Sequence, residues 1–447
     1  MRKHAMNRRE FLTAVGAGAA ALAAGRLLCG AEAGSKPDRP NVVLCMADDQ
    51  GWGDVGYNDK ARERYKGIKT PVLDAMAGAG VRFDRFYAAQ CVCSPTRGSV
   101  LTGRHPNRYG CYIYGKPLRT EEMTVAQALK PLGYATGHFG KWHLNGVSGQ
   151  GKLIPASDPL HPGRFGFDEW FSTSNYYEKD WRFSHNGETV ETTGDGSDAI
   201  MAQALKFMAG AKAAGKPFLA VVWFGSPHVP HRATDEYKAV CGGDDYAGEI
   251  YGIDHSMGML REALRKMGIA ENTLVWYTSD NGAHKRGCKG GLRGGKSTIF
   301  EGGLRVPAII EWPGRVKKPF ATDSPAVTSD IYPTILDIVG HTVPGQVKPI
   351  DGISLLPLID GKATSRPRPI GFVWGGKNSK RTQAAWTGTR YKLLKTAQGK
   401  YELYDLIEDM GESRNIAADK PDVVARMKSE LEAWLTSVAA SDRGADY

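Results

Sequence analysis

Two pairs of carboxylate or amide residues in this sequence each follow a run of apolar residues. The first pair is Asp48 and Asp49, and the second is Asp280 and Asn281. Oxygen atoms of such side chains are the ligands that hard divalent cations such as Ca²⁺ and Mg²⁺ prefer. One Asp-Asp pair alone is usually a solvated turn. The second pair, at another strand end, is what makes cation binding a reasonable interpretation. The four side chains are therefore candidate ligands for a divalent cation.

A cysteine in a distinctive setting is the second candidate for chemistry. Cys93 opens the string CSPTRGSVLTGR, which places Pro95 two residues and Arg97 four residues after it. A thiolate is a nucleophile, so Cys93 is a candidate for covalent chemistry. The structural alternative is a buried cysteine that precedes a helix initiated by proline.

The string beginning at Cys93 resembles the signature of the type I sulfatases, an arylsulfatase-like family of the alkaline phosphatase superfamily. In that family a modifying enzyme recognises Cys-x-Pro-x-Arg and oxidises the cysteine to formylglycine (3-oxoalanine). Thr96 stands here where the family more often has Ser, and the tail Leu-Thr-Gly-Arg ending at Arg104 matches. The resemblance implies a sulfuric ester hydrolase that needs a formylglycine-generating or anaerobic sulfatase-maturating enzyme as a partner.

The same resemblance implies a complete set of site residues. The catalytic set is Cys93, Arg97, Lys141, His143, His228, Asp280 and Lys296. The metal ligands are Asp48, Asp49, the group derived from Cys93, Asp280 and Asn281, and the implied ion is Ca²⁺, with Mg²⁺ as the alternative. Lys141 and His143, in the string GKWH, match the pair that contacts the formylglycine hydroxyl, and Lys141 would also share the sulfate charge.

The roles of the other residues follow from the family's mechanism. Asp280 is the candidate base for the attacking hydroxyl of the hydrated formylglycine, and Arg97 would stabilise that hydrate. Lys296 would bind sulfate, and His228 would protonate the leaving alcohol. His143 would support the hydrate by helping to remove the proton of its second hydroxyl. His231, three residues after His228, is a candidate structural or supporting residue.

The elements that must position these side chains are readable from apolar runs. Continuous apolar segments predict strands buried on both faces of a mostly parallel sheet, at residues 42–46, 218–224, 273–277 and 306–310. Amphipathic stretches predict helices between them, at residues 70–79, 124–132, 254–267 and 330–339. Polar residues at the carboxyl ends of such strands lie where open α/β sheets bind ligands.

The chain divides into a large and a small part. We predict a catalytic α/β domain at residues 38–345, a mixed and mostly parallel sheet sandwiched by helices, alkaline phosphatase-like as the resemblance implies. Residues 346–447 are predicted to form a small α+β subdomain with an antiparallel sheet. Within it, residues 390–394 and 402–406 read as a hairpin, and a terminal helix follows Pro421.

The N-terminus carries an export pattern. The twin-arginine box NRREFL at residues 7–12 precedes a stretch of small and apolar residues and an Ala-Glu-Ala site, so residues 1–33 read as a removed signal peptide. The prediction is export through the Tat translocon to the periplasm or outside the cell, with no stable membrane span in the mature form. A retained anchor or a lipid on Cys29 are the alternatives.

Composition excludes several classes of protein. Of 447 residues, 41% are hydrophobic and 24% charged, which are ordinary globular values. The net charge of +10 suits an anionic substrate, but the charges are dispersed, so nucleic acid is not expected as a partner. Cys29 and Cys93 leave five of the seven cysteines, which predicts no complete disulfide framework, and no two-pair zinc spacing is present.

Two other functions compete with sulfate ester hydrolysis. A phosphoester hydrolase of the same superfamily would share the fold, although such enzymes usually have Ser or Thr as nucleophile and often two metal ions. A non-catalytic protein that binds sulfated glycans would keep the fold without the chemistry. Because every expected side chain is present, hydrolysis of sulfate esters is the prediction, with sulfated carbohydrate as the expected substrate. Aromatic residues such as Tyr176 and Trp181 could line a sugar subsite or belong to the core.

Overall fold

The apolar runs of the sequence become the middle strands of a large sheet. The computed structural model describes residues 39–58, 67–375 and 382–447. The strands of the large sheet are β1 (Asn41–Ala47), β2 (Val81–Tyr87), β3 (Ala135–Lys141), β4 (Glu169–Thr173), β5 (Arg182–His185), β6 (Glu188–Glu191), β7 (Phe218–Trp223), β8 (Thr273–Ser279), β9 (Arg305–Glu311), β10 (Phe320–Thr322) and β11 (Ala326–Val327).

The strand order is β10-β2-β9-β8-β1-β7-β3-β4-β5-β6, with β11 also paired to β2. The neighbours β8, β1, β7, β3 and β4 are all parallel to one another, whereas β9 runs antiparallel to both β2 and β8. β5 and β6 extend the sheet as an antiparallel edge. The sheet is therefore mixed and mostly parallel, as predicted.

Helices cover both faces of this sheet. In the described residues they are α1 (Pro71–Ala79), α2 (Cys93–Thr102), α3 (Val125–Leu129), α4 (Gly196–Ala213), α5 (Asp235–Val240), α6 (Asp245–Lys266), α7 (Glu301–Leu304), α8 (Ile331–Ile338), α9 (Leu356–Ile359) and α10 (Pro421–Asp442). Along β1, residues 42, 44 and 46 pack into one apolar core and residues 43, 45 and 47 into the other. A strand with no polar face must be apolar at every position, which explains the continuous run.

Two predicted helices differ from the structure at their ends. The helix predicted at residues 254–267 begins earlier, at Asp245, because the Asp244 side chain caps it by accepting from the N–H of Ala247. The helix predicted at residues 124–132 is α-helical only to Leu129 and ends in a 3₁₀ turn. Pro131 lacks the N–H that an α-helix needs at that point.

A small antiparallel sheet forms the C-terminal part, in the order β12 (Ile370–Trp374), β13 (Gln383–Thr387), β14 (Tyr391–Lys395) and β15 (Tyr401–Asp405). The predicted hairpin is β14 and β15, and α10 packs on this sheet through Met427 and Leu431. Residues 40–447 form one compact unit.

The predicted signal peptide lies outside the described residues. Among the residues described, no helix is long and apolar enough to cross a membrane.

Candidate active site

The predicted site residues lie together at the carboxyl ends of four adjacent parallel strands. β8, β1, β7 and β3 are neighbours in that order, so their ends share one edge. This edge carries six of the predicted residues, Asp48, Asp49, Lys141, His228, Asp280 and Asn281. Hydrogen bonds between the strand ends fix their spacing, since the Asp48 N–H donates to the Ser226 carbonyl at 3.0 Å and the Asp280 N–H to the Ala47 carbonyl at 3.1 Å.

Cys93 reaches this edge at the first turn of α2. Its side chain is buried, and Thr96 fixes the turn by donating from its hydroxyl to the Gln90 carbonyl at 2.9 Å. Pro95 fits because a first-turn N–H has no partner within the helix. Burial raises the pKa of the Cys93 thiol, although Lys141 and Lys296 oppose this shift. An unmodified thiol here would therefore be largely protonated at neutral pH and a poor nucleophile.

Three carboxylates of the site are paired with three cations. Arg97 lies 2.6 Å from the Asp280 carboxylate and 3.8 Å from that of Asp48, and all three side chains are fully buried. Lys141 is 2.6 Å from Asp48. Arg97 also lies over the ring of Trp223, 5.1 Å from its centroid. Because the charges balance, an additional divalent cation would give the site a net positive charge that attracts an anionic ester.

Lys296 supplies the third cation from a glycine-rich loop. Its ammonium group is 2.5 and 2.7 Å from the two oxygens of Asp49. Hydrogen bonds from the Lys296 N–H to the Ala283 carbonyl and from the Ser297 N–H to the Cys91 carbonyl tie the loop to the site. The glycine-rich loop ends where α7 begins, at Glu301.

The acidic residues have opposite pKa shifts. Burial raises the pKa of Asp280 to about 6, with Asp48 adding to the shift and Arg97 and Lys141 opposing it. Burial would also raise the pKa of Asp49, but Lys296 and His228 outweigh it and hold that pKa well below its ordinary value. Asp49 is therefore a carboxylate across the physiological range, as a cation ligand must be.

Unpartnered oxygens identify where a cation fits. Ligand atoms of Asp48, Cys93 and Asp280 all lie within 4.8 Å of one another, and a second such group joins Asp48, Asp49 and His228. Asp48 Oδ1 and Asn281 Oδ1 are buried without a hydrogen-bond partner. Buried oxygens in that state are costly unless something binds them. A hard divalent cation suits this set of donors.

Two predicted residues of the site have a strained backbone conformation. Asp49 has φ 69° and His143 has φ 52°, in the left-handed region that residues with a Cβ seldom adopt. Both residues are buried, so neither conformation is a surface turn. Strain of this kind persists where the surrounding structure fixes a functional side chain.

The two histidines that are predicted to be catalytic lie in different environments. The Nδ1–H of His228 donates to the Val229 carbonyl at 2.6 Å, which leaves Nε2 directed to Asp49 Oδ2 at 3.8 Å. Burial lowers the pKa of His228 to about 4, with Lys141 and Lys296 acting in the same direction. Both ring nitrogens of His143 are buried without a partner, and burial lowers its pKa well below the ordinary value.

The sequence did not reveal two supporting side chains, Asp54 and Glu249, and left open whether Tyr176 belongs to the site. Tyr176 stacks on the His228 ring with centroids 4.6 Å apart, which places this candidate aromatic residue at the site. Asp54 accepts from the N–H groups of Gly51 and Cys288 and joins two loops of the site. Glu249 lies under the His228 loop. Asp54 and Glu249 belong to no motif, and only their burial in the folded chain distinguishes them. Trp181, the other aromatic candidate, packs against a core cluster.

A mixed α/β sheet with these carboxylates, cations and a buried cysteine at its carboxyl edge defines a hydrolase of alkaline phosphatase-like fold for an anionic ester. The sulfatase family model matches residues 40–341, and the model described as N-sulphoglucosamine sulphohydrolase, C-terminal, matches residues 295–438. The chain therefore belongs to the sulfatase family and is a sulfuric ester hydrolase.

Individual relatives support the same assignment. The chain is 32% identical to canine (Canis lupus familiaris) N-acetylgalactosamine-6-sulfatase over 76% of its length and 69% of that protein. It is 30% identical to human (Homo sapiens) arylsulfatase A over 87% of its length and 86% of that protein. A crystal structure of Ps i-CgsB in complex with k-i-k-neocarrahexaose is 28% identical, with a TM-score of 0.80 over 89% of this chain and 92% of that one.

Proposed function

We propose that this protein hydrolyses sulfate monoesters of carbohydrates, with formylglycine at position 93 and one divalent cation. The convergence of Asp48, Cys93 and Asp280 within 4.8 Å carries the proposal, because it puts the modifiable cysteine at the cation ligands. The name of a relative, N-acetylgalactosamine-6-sulfatase, and the oligosaccharide bound in the structure of Ps i-CgsB support a carbohydrate substrate.

The side chains of the site divide the chemistry among themselves. Asp48, Asp49, Asp280 and Asn281 would hold Ca²⁺ or Mg²⁺ together with the group at position 93. That cation would hold a sulfate oxygen and acidify the hydroxyl that formylglycine supplies as a nucleophile. Arg97 keeps the Asp280 carboxylate in place through its 2.6 Å contact, and Asp280 would accept the proton of the nucleophile.

The remaining side chains act on the sulfate group and the leaving oxygen. Lys141 and Lys296 are buried cations at the site and would neutralise sulfate oxygens as charge develops on them. His228 would act as the imidazolium, with its Nδ1–H bonded to the Val229 carbonyl, and would give the second proton, on Nε2, to the leaving alcohol oxygen. The negative charge of a bound ester would favour that protonated form. His143 would hold the group at position 93 and receive a proton from it.

Release of inorganic sulfate from sulfated saccharides tests the activity. We expect Cys93→Ala to abolish release and to keep the circular dichroism spectrum of the wild type. Cys241→Ala is the matched control, because this buried cysteine follows α5 and belongs to neither group of clustered metal-ligand atoms. Turnover by Cys93→Ala close to that of the control would overturn the proposed role of position 93.

We also propose export to the periplasm or the extracellular space by the twin-arginine route. The pair Arg8-Arg9 within NRREFL supports it. Replacing both arginines by lysine should leave the protein in the cytoplasm, whereas cell fractionation should find the wild type outside it. Unchanged export of the double variant would contradict this route.

A further inference from the structure

The loop that carries His228 is tied at both ends to one buried side chain of a neighbouring helix. We propose that Glu249 of α6 is a positioning residue for His228, because its carboxyl group binds both ends of residues 226–232 and holds the imidazole beside the leaving-group oxygen. The inference rests on the proposed function, in which His228 protonates that oxygen.

Contacts of Glu249 define the two ends of this loop. Glu249 is 4% exposed. Its Oε1 accepts from the Arg232 N–H at 2.5 Å, and its carboxyl group also interacts with the Ser226 side chain. The Ser226 carbonyl in turn accepts from the Asp48 N–H at 3.0 Å. One carboxyl group therefore connects the His228 loop both to α6 and, through Ser226, to the strand end that bears the metal ligands.

The sequence of the loop explains why a side chain must bind it. Pro227 and Pro230 lie on either side of His228, and neither has a backbone N–H to donate to a neighbouring strand. The His228 N–H donates to the Gly225 carbonyl at 3.2 Å. A side chain that accepts from the Arg232 N–H and contacts Ser226 holds the loop where the proline residues cannot donate hydrogen bonds.

Orientation of the imidazole depends on this fixation. The partner of the His228 Nδ1–H is the carbonyl of Val229, which belongs to the loop itself. If the loop shifts, the Val229 carbonyl moves together with the imidazole ring, and Nε2 no longer points in the same direction. Proton transfer requires a donor within about 2.6–3.2 Å of the receiving oxygen, so a displacement of 1 Å is enough to remove it.

The surroundings of Glu249 favour a neutral carboxyl group. Burial raises the pKa of Glu249 well above its ordinary value, the Arg232 N–H opposes this shift, and the nearby Asp195 and Glu178 carboxylates add to it. Glu178 itself is paired with the Arg232 side chain at 3.0 Å. Glutamine has the same shape, no charge and an accepting oxygen, so it should replace Glu249 with little loss, whereas alanine should not.

Two variants at position 249 and one matched control test the proposal. Glu249→Ala removes both contacts, and Glu249→Gln keeps the acceptor. Asp254→Ala is the control, because Asp254 is equally buried on α6 and accepts from the backbone N–H groups of Val72 and Leu73, which belong to α1. It should lower stability without touching the His228 loop. Ser226→Ala, which removes one of the two contacts, should have a smaller effect in the same direction as Glu249→Ala.

The readout is the rate on a series of aryl sulfates whose phenols differ in acidity. A poor leaving group needs the proton of His228 and a good one does not. We expect Glu249→Ala to lower kcat ~10- to 100-fold on the poorest leaving group and less than ~3-fold on 4-nitrophenyl sulfate, since a general acid contributes about 10²- to 10⁴-fold. Glu249→Gln should restore most of the loss, and Asp254→Ala should lower all rates equally or not at all.

Two further results separate this inference from the proposed function. If His228→Ala itself shows no greater loss on poor leaving groups, the proposed acid role fails. Amide hydrogen exchange of residues 226–233 then decides the inference alone, because Glu249→Ala should speed exchange there and Asp254→Ala should not. An Ala variant at 249 with wild-type exchange, or with a uniform loss across the series, overturns the positioning role.

Discussion

Replacing Lys392 by methionine tests how the C-terminal sheet is attached to the large one. Lys392 of β14 is fully buried, and its ammonium group lies 3.0 Å from Glu301 and 2.9 Å from Glu412, which are also fully buried. Tyr87 of β2 donates to the other oxygen of Glu301 at 2.9 Å. Methionine preserves most of the side-chain volume, so the change removes the charge and leaves two carboxylates buried together.

The expected cost follows from the loss of one partner. Removing one member of a buried ion pair costs about 3–5 kcal/mol because the other charge stays desolvated. In the wild type, burial alone would lower the pKa of Lys392, but Glu412 and Glu301 raise it. Burial would raise the pKa of Glu301, but Lys392 and Arg305 hold it below its ordinary value. The contribution of the Lys392–Glu301 pair is therefore present throughout about pH 5–8, above the unfolded pKa of Glu and below that of Lys. Burial already raises the pKa of Glu412 in the wild type, although Lys392 opposes that shift.

The stability of the Lys392→Met variant should change with pH in the opposite direction to the contribution of the Lys392–Glu301 pair. Without Lys392 the two buried carboxyl groups have raised pKa values in the folded state, so the folded state binds more protons than the unfolded one, and stability falls as pH rises. We expect a loss of about 3 kcal/mol or more at pH 8 and a smaller loss at pH 5. Urea unfolding followed by tryptophan fluorescence at both pH values measures it.

Lys395→Met on the same strand is the matched control. Lys395 pairs with Glu432 at 2.8 Å, but both side chains are partly exposed, at 31% and 43%. An exposed pair of this kind contributes less than about 1 kcal/mol. Equal losses of unfolding free energy in the two variants, or a loss in Lys392→Met that is not smaller at pH 5, would show that the buried charge of Lys392 does not stabilise the fold.

Three other outcomes are expected. Lys296→Met should lower kcat for sulfate esters by about 10²- to 10³-fold, the usual effect of removing one group that stabilises transition-state charge, and unchanged kcat would exclude Lys296 from sulfate binding. Burial would raise the pKa of Asp351, but Arg108 outweighs burial and lowers that pKa. Asp351→Asn should therefore lower the free energy of unfolding by about 2 kcal/mol near neutral pH. The difference in urea midpoint between variant and wild type should narrow as acid titrates Asp351, and a difference independent of pH would contradict this. A chelator should lower the thermal midpoint and activity together, and Ca²⁺ or Mg²⁺ at about 100 times its Kd should restore roughly 2.7 kcal/mol; a midpoint unaffected by chelation would argue against a cation at Asp48 and Asn281.

Much of the site was predictable because its chemistry lies at the ends of continuous apolar strands. Asp48, Asp49, Asp280 and Asn281 follow β1 and β8, and parallel neighbours bring their carboxyl ends to one edge. The position of His228 after β7 follows in the same way. The proximity of these side chains depends only on the strands being parallel neighbours. The apolar runs with helices between them indicate that arrangement.

What the sequence did not predict depends on long-range packing. Glu249 and Asp254 are both acidic residues within one helix, and nothing local distinguishes a helix face that lies under a loop from one that faces α1. The early start of α6 depends on the Asp244 cap, and one capping residue is a weaker sequence signal than the apolar periodicity of residues 254–267. The pairing of Lys392 with Glu301 joins residues 91 positions apart, which no periodicity reveals.

Peptide mass spectrometry of the protein from a host with a sulfatase-modifying enzyme shows whether Cys93 becomes the nucleophile of this sulfate ester hydrolase. We expect the peptide containing Cys93 to be about 18 Da lighter than its thiol form, a change outside the ordinary oxidation ladder of cysteine. Sulfate release should rise with the modified fraction. An intact thiol at position 93 in protein that fully hydrolyses sulfate esters would contradict it.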